Sequence, residues 1–175
     1  MSVSFEQDMA AEGEPEVEFD PGIAARLPYK RVAAGALFRD SRGRILMAEP
    51  IYKPTLEIPG GMVEADEAPL DACVREVREE LGPDLPIGRL LVVDWKPRHG
   101  VWGETILFIF DGGVLTNEQI AAIKLQPDEL RAVHRLALTD VAGRVRPSMY
   151  RRIAQAEHAA GPVPKRAAAA SVSIS

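Results

Sequence analysis

The chain has 175 residues, 46% of them hydrophobic, which suits one globular domain with an ordinary core. A net charge of −5 and a pI near 5.3 argue against a general nucleic-acid binder, whose phosphate contacts would need a basic face. The single cysteine, Cys73, excludes an internal disulfide and suits a reducing cytoplasm. No apolar run approaches about 18 residues and the opening segment is acidic, so neither a membrane span nor a signal peptide is expected.

Residues 1–28 hold seven carboxylates and no cation before Arg26. We expect an acidic arm, flexible over 1–15, with 16–28 open to ordering against a neighbouring subunit. The domain proper is expected over 29–160. Lys30 to Phe38 is rich in β-formers, Asp40-Ser41-Arg42-Gly43 is a turn, and Arg44 to Ala48 is a second strand, which together make a hairpin. Thr55 to Ile58 reads as a short strand stopped by Pro59.

Residues 60–82 then run from a glycine pair into a short acidic helix. Pro69 suits its first position and Gly82 the residue past its last turn. Leu70, Cys73, Val74, Val77 and Leu81 recur at spacings of three and four and predict one apolar stripe. On the other face Glu76 and Glu80 lie about 40° apart and Glu79 about 60° to the far side of Glu76. Three carboxylates therefore crowd the C-terminal half of the helix, where the macrodipole favours cations and like charges repel. A hard divalent cation held through carboxylate oxygens, Mg²⁺ or Mn²⁺, would relieve that repulsion. A bare acid cluster of this kind is more often a solvated helix face.

Beyond the helix, Arg89 to Trp95 and Glu104 to Asp111 are nearly all apolar and predict central strands. Asn117 to Lys124 is a brief helical turn, Glu129 to Leu136 another strand, and Ser148 to Ala159 a terminal amphipathic helix introduced by Pro147. Residues 161–175 form an Ala/Ser-rich tail. This order lacks regular β-α alternation and predicts an α/β (α+β) fold with a mixed sheet between helices.

The full pattern is more telling than the acid cluster. Gly61, five residues, Glu67, seven residues, then Arg75-Glu76-Val77-Arg78-Glu79-Glu80-Leu81-Gly82 closely resembles the Nudix box. Pro83 stands where that box has an aliphatic residue, which bears on how the helix exits and not on the acids. The resemblance covers 23 of 175 residues. It implies a Nudix hydrolase with an α/β/α sandwich, the box forming a loop–helix–loop at the sheet's edge. It further implies that Glu76 and Glu80 ligate metal with the Gly60 carbonyl, that Glu79 is an additional ligand or binds a second metal through water, and that Arg75 and Glu67 brace the loop against the helix. For the general base the candidates are Glu76, Glu129 or Asp128, and Glu104.

Substrate recognition is expected outside the box. Tyr52 and Lys53 lie just upstream of the glycine turn, and Trp95, Arg98 and Trp102 lie with Lys96 and His99 in a loop between apolar strands, an arrangement suited to an aromatic shelf with cations for phosphate. The plainer reading is that both tryptophans simply pack. Glu104 is a further candidate contact. The expected substrate is a nucleoside diphosphate joined to another group: ADP-ribose, a nucleotide sugar, or a nucleoside triphosphate. Pro97, 15 residues past Gly82, falls near a proline of ADP-ribose-cleaving relatives. The alternative reading is a non-catalytic Nudix nucleotide sensor. An isomerase of the same fold would want a catalytic cysteine, and Cys73 is expected in the core. A homodimer is a habit of such proteins; neither nucleic acid nor a membrane is expected as a partner.

Overall fold

The computed structural model describes residues 22–163. The expected arm over 1–21 and tail over 164–175 lie outside the described residues. Between these limits the elements run α1 (Ile23–Arg26), β1 (Arg31–Asp40), β2 (Ile45–Pro50), β3 (Gly60–Met62), α2 (Pro69–Leu81), β4 (Leu90–Lys96), β5 (Thr105–Leu115), α3 (Asn117–Ala121), β6 (Leu130–Leu136), α4 (Leu138–Val141) and α5 (Pro147–Ala160).

The sheet order is β4-β5-β1-β2-β6, with β3 added to β1. β1 and β5 are parallel; the other pairs are antiparallel, so the sheet is mixed as expected. β1 sits in the middle and its side chains feed both faces. Ala34, Ala36 and Phe38 pack with Cys73, Val77 and Leu81 of α2, while Leu37 packs with Ile45, Met47 and Ile153 of α5 on the other side. A strand covered on both faces must be apolar nearly throughout, which is why β1 reads as a run and not as an alternation.

The described elements depart from the sequence reading in three places. The strand expected over 55–58 is a single bridge, Glu57 to Ala48, and the paired strand is Gly60–Met62. Gly60 can lie directly against β1, where an added Cβ would overlap Ala34 O, and Gly61 leaves room for the Glu76 carboxyl group. Leu70 and Val74, placed in the apolar stripe, are 41% and 43% exposed, whereas Ala72 is fully buried. The helix is rolled so that its contact line runs through Ala72, Cys73, Val77 and Leu81. The helical turn after β5 ends at Ala121, capped by a reciprocal pair of bonds between Thr116 and Gln119.

Candidate functional site

α2 begins at Pro69, and beyond its end the Gly82 N–H bonds back to Arg78 O at 2.9 Å with φ of 92°. It lies across β1 and β3, bringing its acidic flank against the glycine pair. A Cβ on Gly61 would overlap the Glu76 carboxyl group, and one on Gly60 would overlap Ala34 O. Gly60 also has φ of 139°, open to glycine alone at low cost. The two glycines are therefore what let the carboxylates approach the backbone.

Glu80 accepts the Gly60 N–H at 2.9 Å. Burial is the main force on its carboxyl, and with the charges of Glu76, Glu129 and Glu57 it raises the pKa to about 7. Glu76 is raised in the same direction, again chiefly by burial, with Arg75 opposing. Arg75 is the hub of the loop. Nε donates to Glu67 Oε1 (2.8 Å); Nη1 donates to Glu76 (3.0 Å) and Glu79 (3.2 Å); Nη2 donates to Glu67 Oε2 (2.9 Å) and Met62 O (3.1 Å). All five guanidinium N–H groups are committed within the protein. The Arg75 fork, helped by the Glu64 N–H, lowers the Glu67 pKa to about 2. The loop carrying Glu67 turns at Asp66, the one described non-glycine residue with positive φ (59°).

Cys73 is fully buried, and burial pushes its thiol up to about 12. That matches a core residue and not a nucleophile.

The remaining candidates fall into two groups. Glu129 ends the loop into β6. That loop is tied to the box helix through Gln126 N to Glu80 O (3.4 Å), and the Glu129 charge is felt at both Glu76 and Glu80. Ile51 N donates to Glu129 O at 2.9 Å, so Tyr52 and Lys53 start beside it. Trp95, Arg98, Trp102 and Glu104 instead belong to the tip of the β4–β5 hairpin. There Glu104 pairs with Lys30, and the Arg31 guanidinium lies 5.5 Å over the Trp102 ring. Glu104 is not among the charges acting on Glu76 or Glu80. Arg31 is four residues from Gly35, the partner of Gly60, which sets this tip roughly 13 Å along β1 from the glycine pair. The tryptophans are 54% and 62% exposed, against the reading in which they pack.

Glu57 escaped the sequence reading. It bridges Ala48, whose side chain lies in the α2-side core, and so it emerges on the face that carries the acids. Its place three residues before Gly60 was the only signal available.

The donor set is all carboxylate and backbone oxygen, the chemistry of a hard divalent cation. As they stand, no three acidic, histidine or cysteine side chains among the described residues converge on one point. Glu80 is turned to Gly60, while Glu76 and Glu79 share Arg75.

Comparison with known proteins agrees with this architecture. A NUDIX domain model matches residues 29–156, and the chain belongs to that family. It is 33% identical over 113 residues to a MutT-like protein of Streptomyces ambofaciens, covering 63% of this chain and 73% of the relative. It is 36% identical over 81 residues to an RNA pyrophosphohydrolase of Gluconacetobacter diazotrophicus, covering 41% of this chain and 48% of that protein, so the chain spans less than half of that relative's length. The crystal structure of a MutT NUDIX hydrolase from Burkholderia pseudomallei superposes with a TM-score of 0.62 at 25% identity, covering 73% of this chain and 98% of the other. Among the described residues no helix is long and apolar enough to cross a membrane.

Proposed function

We propose that this protein is a divalent-metal-dependent hydrolase that cleaves the diphosphate linkage of a nucleoside diphosphate joined to another group. The observation carrying this reading is the seating of Glu76 against Gly61 and of Glu80 on the Gly60 N–H, with Glu76 and Glu79 both held by Arg75, whose donors are all engaged within the protein. Such a cluster in a half-buried place is unfavourable by itself and suits a task that needs negative charge held ready.

In this reading Glu76 and Glu80, with the Gly60 carbonyl, hold Mg²⁺ or Mn²⁺, and Glu79 serves a further ion. The bound metal would neutralise phosphate charge and acidify a water. Arg75 fixes the glutamate rotamers and Glu67 fixes Arg75, as outer supports of metal sites do. Glu129 is the proposed base: it is exposed, on a loop anchored to the helix end, and electrostatically coupled to Glu76 and Glu80. Glu104, paired with Lys30 at the hairpin tip, is better suited to a substrate contact than to water activation. Trp95, Trp102 and Arg98 would receive the nucleoside end of the substrate, Tyr52 and Lys53 a phosphate. ADP-ribose, a nucleotide sugar and a nucleoside triphosphate all answer this description.

Incubating the protein with a nucleotide panel and Mg²⁺ in ¹⁸O water tests the reading and shows which phosphorus is attacked. Label in one product phosphate, lost in Glu80→Gln, is the expected result. Tight nucleotide binding without any hydrolysis would replace it with a sensor function.

A further inference from the structure

With Arg75 saturated, any cation offered to an incoming phosphate beside the acids must come from elsewhere. The segment from Ile51 to Glu57 supplies one. It is anchored at one end by Ile51 N on Glu129 O (2.9 Å) and at the other by the paired bonds between Glu57 and Ala48 (2.7 and 3.0 Å). Both anchors border the acidic patch: Glu129 and Glu57 are the two outlying carboxylates whose charge reaches Glu80. Glu57 stands three positions before Gly60, whose N–H holds Glu80, so Glu57 lies within about 10 Å of that amide.

Lys53 projects from this strap. Its ammonium is 2.5 Å from Glu57 Oε1 and 5.0 Å from the centre of the Tyr52 ring, which is itself 72% exposed. An ammonium has three N–H donors, and the carboxylate takes only part of that capacity. An exposed ion pair adds about 0–1 kcal/mol to stability, so stability gives this pair little reason to exist. Held at that spot, the lysine adds a side-chain cation at the rim of the acidic site, beyond what a bound metal would supply.

We propose that Glu57 is a positioning residue that holds Lys53, backed by the Tyr52 ring, at the rim of the acid patch so that its ammonium takes a phosphate oxygen of the bound diphosphate. This deepens the hydrolase reading and rests on it for the identity of the ligand. Glu57 orients the ammonium, while its own negative charge also reaches Glu80; its favourable effect on phosphate therefore requires Lys53, and the two should be non-additive.

Isothermal titration of the full chain with methylenediphosphonate, a diphosphate that cannot be hydrolysed, in the presence of Mg²⁺, tests the inference. Lys53→Met is expected to weaken binding about tenfold, Lys53→Arg to recover most of it, and Glu57→Gln to weaken it about threefold. In the Lys53→Met background Glu57→Gln should weaken binding no further. On any nucleotide that the wild type hydrolyses, both single variants should raise KM with kcat kept within about threefold. Binding by Lys53→Met equal to wild type, an equal effect of Glu57→Gln with and without Lys53, or no binding by the wild type would each overturn the proposal. Lys53-dependent binding in a protein that hydrolyses nothing would sink the hydrolase reading and leave the lysine's role standing. Hydrolysis with Lys53-independent binding would sink only the latter.

Discussion

Two arginines on opposite sides of the sheet show how differently one side chain is used. Arg75, on the box-helix side, is partly exposed and has every donor matched, four of them to carboxylates. Arg39, at the far end of β1 and facing α5, is 4% exposed; its Nη1 reaches Gly161 O at 2.6 Å, while Nε has no partner and lies 3.9 Å from Glu157. Arg152, on α5 itself, meets Asp94 at 2.6 Å and joins the helix to the edge strand. The Arg75 network constrains rotamers and thereby geometry. The Arg39 pair closes one end of the fold at a desolvation cost that its single good bond only partly offsets. Function should therefore be sensitive on the first side and stability on the second.

The sharpest break is Glu80→Gln. It keeps shape and removes a charge at the centre of the cluster, and turnover should fall by at least about a hundredfold while the urea midpoint holds or rises. A variant with near-wild-type Mg²⁺-dependent turnover would end the comparison. Next comes Arg75→Lys, which keeps the charge and loses the fork. Activity should drop about 10–100-fold, the cost typical of losing an outer support of a metal site, with little change in melting temperature.

On the other side, Arg39→Met should leave turnover unchanged and shift stability by no more than about 2 kcal/mol, read by urea denaturation. The smallest expected effect is in pH. Burial raises the Glu157 carboxyl above its ordinary 4.5 despite the pull of Arg39. The fold then holds this proton more tightly than the unfolded chain does, so its contribution is full below about pH 4.5 and is lost as pH rises through the elevated folded value. Glu157→Gln should flatten that part of the stability profile between acid and neutral pH; an unchanged slope would assign it to other groups.

Much of the acidic side was readable from sequence because its determinants are local. A proline, a glycine and a 3.6-residue period define α2, and geometry alone then gathers Glu76, Glu79 and Glu80. The pairing of Arg75 with Glu79 follows from the same spacing, whereas its pairing with Glu67 was implied only by the resemblance. The roll of the helix was not readable, since Leu70 and Val74 satisfy the apolar period as well as Cys73 and Val77 do. Only the line along which α2 meets β1 leaves the first pair at its margin. The strand expected over 55–58 failed for a related reason: β-propensity marks Leu56 and Ile58, but pairing with β1 demands the close approach that Gly60 and Gly61 permit.

The sequence by itself determined the family, the mixed α/β class and the helix that carries the acids, because each depends on residues within a few turns of one another. The folded arrangement alone brings Glu57, on its single bridge to Ala48, and Glu129, at the end of the loop into β6, to the acidic rim, and leaves the tryptophans exposed on a hairpin tip. It also decided that Arg75 has nothing left to offer a ligand. Those are matters of which surfaces meet across the sheet, and no local spacing encodes them.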